Sequence, residues 1–430
     1  MKALCALLAL MPWAVWLVVS SPPRQAGDGW VVLVSGDADG YLSPCGCTKP
    51  MSGGMRRMAT AAKQLRRPGR TVHLENGGLV AGAGRQDEIK AETLAEAFRR
   101  MEVAAINLGP AEARLGPGAV ASISRLSGGR LLTSVLRGPE ALGLPRYARE
   151  GPFLIGAASA QPEAVAAPLD EAPLPLDTAV EGLVRDARVE SLAPVLLLQG
   201  DEALARKLAS DHPALAMIVY RSRSAPPREA LYEGGTLLVT PGDRARHLVR
   251  VEWQDGGWRG YGAVNLGPQF ADDPEAERLY RTYQARVRRE NLLASVPREP
   301  SEAFAGSKAC GSCHSTAHAA WSASAHAAAL KTLEREGSDA DPDCTGCHVV
   351  GLKAQGGFRS RLETPQLADV GCESCHGPAK RHAENPQSFR LPKAGERSCR
   401  SCHNPDHSPG FDFDPYWARI AHGLDPAKGQ

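Results

Sequence analysis

The sequence predicts an α/β domain at the front of the chain and a mainly helical region of different construction behind it. Three observations carry this. From Trp30 to about Val264, short β-branched runs alternate with helical stretches, the pattern of a layered α/β domain. Residues 301–430 hold 16 Leu, Ile, Val and Phe in 130 positions, below the roughly 20% under which a chain fails to build a core from its own side chains. Eight of the 11 cysteines lie after residue 309 as four Cys-x-x-Cys pairs, each followed at once by histidine.

The elements follow in order. Met1 and Lys2 precede an apolar run from Ala3 to about Ser20, broken only by Pro12, so residues 1–26 read as a secretory signal peptide or an uncleaved membrane anchor. Cleavage is favoured, because Val18 and Ser20 resemble a small-residue cleavage site, and the mature protein is then expected in the periplasm. Residues 28–265 form the α/β domain. Strands are expected at Val31–Val34, Thr71–Leu74, Val103–Ile106, Phe153–Ile155, Val195–Leu198 and Ala216–Val219, and helices at about 54–66, 86–101 and 201–210. Residues 266–300 read as a helical linker. Asp273 is its N-cap, Pro274 sits in the first turn, Ala276, Tyr280, Tyr283 and Val287 form an apolar stripe, and Pro297 and Pro300 mark its end. Residues 301–430 make the last domain. The 50 basic and 48 acidic side chains leave a formal charge of +2, which is no field for a nucleic acid partner.

The four motifs are Cys310, Cys313 and His314; Cys344, Cys347 and His348; Cys372, Cys375 and His376; and Cys399, Cys402 and His403. Positions i, i+3 and i+4 share one helical face, so both thiols can add to the vinyl groups of a haem while the histidine ring reaches its iron. Each motif is therefore expected to attach one haem c and to supply its proximal ligand, four in all. Zinc ribbons also use Cys-x-x-Cys pairs, and an exported chain can form disulfides, but neither needs a histidine directly after the second cysteine every time. Four porphyrins would also supply the apolar surface that residues 301–430 lack.

Between the motifs, Gly306 to Cys310, Trp321 to His326, Gly371 to Pro378, Phe411 to Phe413 and His422 resemble a family of periplasmic tetrahaem cytochromes c that accept electrons in bacterial hydroxylamine oxidation. The resemblance implies a mainly α, haem-packed domain. It marks His326, His382 and His422 as distal ligands and leaves the haem of Cys344, Cys347 and His348 with an open or weakly filled sixth position. His318 and His407 read as ordinary histidines.

The front domain resembles the catalytic domain of the 5′-nucleotidase branch of calcineurin-like metallophosphatases, a four-layer fold of β-sheets flanked by helices. The matching stretches are Ser35 to Pro44, Gly53 to Arg57, Leu74 to Gly78, Leu108 to Glu112 and Ile218 to Arg223. The ligands do not carry over. Asp37 is kept, Asp39 stands for a histidine, Gly78 for the metal-bridging aspartate, Pro110 and Ala111 for an Asn-His pair, and Arg221 and Arg223 for two late histidines. One acidic pair cannot hold two metals, so the fold is expected without the activity. Arg221 and Arg223 could hold an anion, or simply be solvated. In the loop that carries Asp37 and Asp39, Cys45 and Cys47 could be a redox thiol pair, a soft-metal site or a quiet disulfide.

The sequence thus predicts an exported tetrahaem cytochrome c that passes electrons to periplasmic or membrane redox proteins, fused to an inactive phosphoesterase-like domain. The rival readings are a haem oxidoreductase acting on a small nitrogen or sulfur compound at the open haem, and a working nucleotidase.

Overall fold

The computed structural model describes residues 29–44, 51–405 and 407–422. Residues 1–26, and with them the expected signal peptide or anchor, lie outside these, as do Cys45 and Cys47. Among the described residues, no helix is long and apolar enough to cross a membrane.

In chain order the front domain comprises β1 (Trp30–Ser35), α1 (Met55–Leu65), β2 (Thr71–Glu75), α2 (Arg85–Arg100), β3 (Val103–Asn107), α3 (Pro110–Ala113), α4 (Pro117–Leu126), β4 (Leu131–Leu132), β5 (Tyr147–Glu150) and β6 (Phe153–Ser159). It continues with α5 (Pro162–Ala166), α6 (Leu176–Glu190), β7 (Ala193–Gln199), α7 (Glu202–Asp211), β8 (Met217–Val219), β9 (Leu231–Glu233), β10 (Thr236–Val239), β11 (His247–Gln254) and β12 (Gly257–Asn265). All six expected strands form. Two six-stranded sheets result, in the orders β12-β11-β1-β2-β3-β4 and β5-β6-β7-β8-β10-β9. β1 to β4 run parallel in the first sheet and β6, β7, β8 and β10 in the second, with antiparallel strands at the margins.

The four layers follow from the alternation of side chains along a strand. In β1, Val32 and Val34 enter an apolar layer between the sheets together with Val72, Leu74, Ile155, Leu197 and Val219. Val31 and Leu33 point the other way, into the core beneath the helices, where α2 lays down Ile89, Leu94 and Phe98. The side-chain amides of Asn76 and Asn107 span the two sheets at the carboxyl ends of the parallel strands. Asn76 Nδ2 donates to the Leu198 carbonyl (3.1 Å), and Asn107 Nδ2 to those of Ala158 (3.0 Å) and Leu197 (3.1 Å). The loops following β1, β2, β3 and β8 leave from that edge, the usual position of a site in a parallel α/β sheet.

The linker helix α8 spans Pro274–Arg289, and Asp273 Oδ1 accepts from the backbone N–H groups of Glu275 (3.0 Å) and Ala276 (3.1 Å). It ends earlier than Pro297 because Asn291 adopts φ 51°, a left-handed conformation that breaks the helix. Its apolar face packs on α1 and α2, while Tyr283, Gln284 and Arg288 reach into the C-terminal region. There the helices are at most eight residues long, and the core is the small cluster of Leu330, Leu333, Val349, Val350, Leu352, Phe358 and Leu367.

Candidate functional site

Each Cys-x-x-Cys-His stretch closes as a tight helical turn. The His314 and His403 backbone N–H groups donate to the Cys310 (2.9 Å) and Cys399 (2.8 Å) carbonyls, Cys372–His376 is a helix, and the His348 N–H donates to the Thr345 carbonyl (2.9 Å). Turns of this kind place thiols and imidazole on one face. The motifs also meet one another. Cys310 lies in hydrogen-bond contact with Cys372, which raises the first thiol and lowers the second to about 6. Cys402 is likewise lowered to about 6 by Cys347 beside it, and Cys375, raised to about 11 first by burial, has Cys399 and Cys402 as neighbours.

The histidines pair. The rings of His314 and His382 stand 6.3 Å apart, those of His326 and His403 6.2 Å, and those of His376 and His422 6.1 Å. A first-row metal held at about 2 Å by one nitrogen of each of two imidazoles separates the ring centres by roughly 6 Å. The three spacings therefore fit an iron between each pair. Outer contacts fix the ring orientations as well: Nδ1–H of His382 donates to the Phe389 carbonyl (2.6 Å), of His376 to Pro392 (3.2 Å) and of His422 to Ile420 (3.0 Å). That leaves Nε2 of each as the free nitrogen for a metal. His348 Nδ1–H donates to the Ala329 carbonyl (2.8 Å) in the same way.

His326 faces the fourth motif, although it follows the first in sequence. Burial, and after it the neighbouring His348, hold His326 below the ordinary histidine range. Among the described residues no histidine ring opposes His348 at the spacing of the other three pairs. His318 packs on Trp321 (5.3 Å between ring centres) and His407 lies 6.4 Å from Tyr41 of the front domain.

At the sheet edge, Asp37 (φ 51°) is only 2% exposed, and burial raises its carboxyl to about 8 against the opposing charge of Arg221. Arg221 Nε sits 2.5 Å from Asp37 Oδ1 and its Nη2 3.8 Å from Asp39 Oδ1. Gly78 (φ 68°) stands against the same carboxylate, and a Cβ there would clash with Asp37 Oδ1. Glu112 is a backbone cap, accepting from the N–H groups of Leu79 (2.6 Å) and Gly109 (3.0 Å). Among the described residues, no three His, Cys, Asp or Glu side chains gather to hold a metal ion. Arg221 thus lies against the carboxyls of both Asp37 and Asp39.

Sequence reading missed the joint between this domain and the second motif. Buried Asp341 accepts from Gln86 Nε2 (2.8 Å) and Tyr283 Oη (3.0 Å) and caps the helix Pro342–Thr345 through the Asp343 N–H (3.0 Å). Lys90, beside Gly40, forms an ion pair with Asp343, next to Cys344. The Asp341-Pro342 start was a visible capping signal. Its partners are more than 50 residues away in sequence and carry no local mark.

The comparisons agree with this division. The family described as cytochrome c554 and c-prime matches residues 309–377. Cytochrome c-554 of Nitrosomonas europaea is 34% identical over 128 residues, 25% of this chain and 51% of that protein, so the chain spans about half the length of this curated relative. The 5′-nucleotidase precursor of Thermus thermophilus superposes with a TM-score of 0.52 at 17% identity, covering 72% of this chain and 68% of that one. A 5′-nucleotidase of Staphylococcus aureus gives 0.51 at 12%, covering 80% and 70%. A cytochrome c554-like haem domain is joined here to a fold of the 5′-nucleotidase type. At these identities the second likeness concerns the fold alone.

Proposed function

We propose that the protein is an exported electron-transfer protein carrying four haem c groups, with a front domain that no longer hydrolyses phosphoesters. The observation that carries the reading is the set of three histidine pairs spaced 6.1–6.3 Å apart, each containing one motif histidine. Haem c, when bound, supplies a one-electron ferric/ferrous couple. The chain's part is to fix it: Cys310, Cys313, Cys344, Cys347, Cys372, Cys375, Cys399 and Cys402 anchor, His314, His348, His376 and His403 ligate from one side, and His382, His326 and His422 close the first, fourth and third sites. The thiol contacts support the spatial order first, third, fourth, second motif, a continuous row suited to carrying electrons.

The front domain's loss of hydrolysis rests on Arg221 lying beside Asp37 and on Gly78, Pro110 and Ala111 in place of ligands. The periplasm as location, redox proteins of that compartment or its membrane as partners, and the lack of a nucleic acid partner belong to the same reading. A second reading, catalysis on a small nitrogen or sulfur compound at the second site, is favoured by His348, which alone of the motif histidines lacks an opposing histidine among the described residues.

Haem content and low-temperature electron paramagnetic resonance test the proposal. Four haems per chain, three low-spin and one high-spin, are expected. Fewer than four thioether-linked haems would overturn it. Nitrite or hydroxylamine turnover would favour the second reading.

A further inference from the structure

We infer that the loop between His382 and Arg397 is a docking surface for an acidic redox protein, an inference that rests on the electron-transfer reading. Between Ala379 and Arg400 the chain carries Lys380, Arg381, Arg390, Lys393, Arg397 and Arg400 against Glu384 and Glu396. Arg381 pairs with Glu302 (3.3 Å) and Arg400 with Glu396 (2.6 Å). Lys380, Arg390, Lys393 and Arg397 are exposed, and none has a carboxylate within ion-pair distance among the described residues.

The loop is fastened to two axial histidines. Phe389, whose carbonyl accepts from His382, directly precedes Arg390, and Pro392, whose carbonyl accepts from His376, directly precedes Lys393. A protein seated on these cations is one peptide group and one imidazole from the first and third sites. At the second motif, Asp339, Asp341 and Asp343 are taken up by Arg288, Gln86, Tyr283 and Lys90 of the same chain. Those three carboxylates are closed from within, whereas the exposed cations of the loop present their charge outward, to a partner of complementary charge. A protein suits it better than a lipid surface, because the exposed large apolar side chains of the described residues are Val189, Tyr232 and Leu362, none of them in this loop.

The test uses the full-length, haem-loaded protein and flavodoxin, a strongly acidic redox protein, as probe, with binding followed by titration calorimetry. Affinity should fall at least tenfold between 20 mM and 300 mM NaCl, and at least tenfold at low salt in the triple variant Arg390→Glu, Lys393→Glu, Arg397→Glu. Haem absorption of the variant should match the parent. A control triple on the front domain, Arg125→Glu, Arg130→Glu, Arg188→Glu, should bind as the parent does. Unchanged affinity in the loop variant, an equal loss in the control, or tighter binding to phosphatidylglycerol vesicles than to flavodoxin would overturn the docking assignment. Failure of the electron-transfer reading shows separately, as haem bands that dithionite does not reduce.

Discussion

Arg221 lies with its Nε 2.5 Å from Oδ1 of Asp37, so an arginine side chain supplies the positive charge beside the first carboxylate of the sheet edge. A metal-dependent phosphoesterase needs ions at such a site. Here the chain provides the cation itself, and among the described residues no three His, Cys, Asp or Glu side chains gather to hold a metal ion.

Asp37 makes stability fall with pH. Burial raises its folded pKa to about 8 from an unfolded value of 3.8, so the native state holds the proton longer than the unfolded chain. That stabilisation is complete below about pH 4 and is lost as pH rises towards 8. Asp37→Asn should lessen this slope, measured as the urea midpoint of the sheet circular dichroism at pH 5 and pH 8, and the slope that remains falls to Glu75 and Glu112, whose carboxyls burial also raises. Arg221→Gln should cost about 1–2 kcal/mol at pH 8 and less at pH 5, because the arginine is half exposed and matters most when Asp37 is ionised.

The histidine pairs assign a site to each distal residue. His326→Ala should convert the fourth-motif haem, opposite His403, to high spin, although His326 follows the first motif in sequence. His382→Ala should act on the first and His422→Ala on the third. Paramagnetic resonance of each variant, compared with variants of the matching motif histidine, checks the pairing.

Asp341 ties the second motif to the front domain. Asp341→Ala leaves Tyr283 Oη and Gln86 without their acceptor and removes a helix cap, at a cost of roughly 2–4 kcal/mol. Limited proteolysis should then cleave the 290–306 segment at least tenfold faster than in the parent, while the front domain stays protected.

The C-terminal region should depend on its prosthetic groups. Its core of seven side chains is too small to hold a domain of that length. A variant with all eight motif cysteines changed to alanine should keep a cooperative unfolding transition for the front domain and lose residues 301–430 to protease.

How much of this was legible in the sequence depended on whether the signal was local. The four Cys-x-x-Cys-His turns, the β-branched runs of β1, β2, β3, β6, β7 and β8 and the Asp273 cap of α8 each act within a few residues, so spacing and periodicity were enough to find them. Gly78, Pro110, Ala111, Arg221 and Arg223, which stand where the resemblance to the metallophosphatases implies ligands, were also readable position by position. Strands β4, β5, β9 and β10, of two to four residues, were not read, and β11 and β12, of eight and nine residues, were missed as well.

Which groups meet was settled by packing. It brought His326 to His403 rather than to the motif beside it, turned Arg221 onto Asp37 and Asp39, and placed Lys90 and Gln86 against the second motif. These contacts join residues far apart along the chain, and their partners are chosen by how sheets, helices and short turns pack rather than by any neighbour in sequence. Local residue order sets which chemistry the chain can hold, because covalent attachment and ligation need particular residues at fixed local spacing. The fold decided where each of them is used.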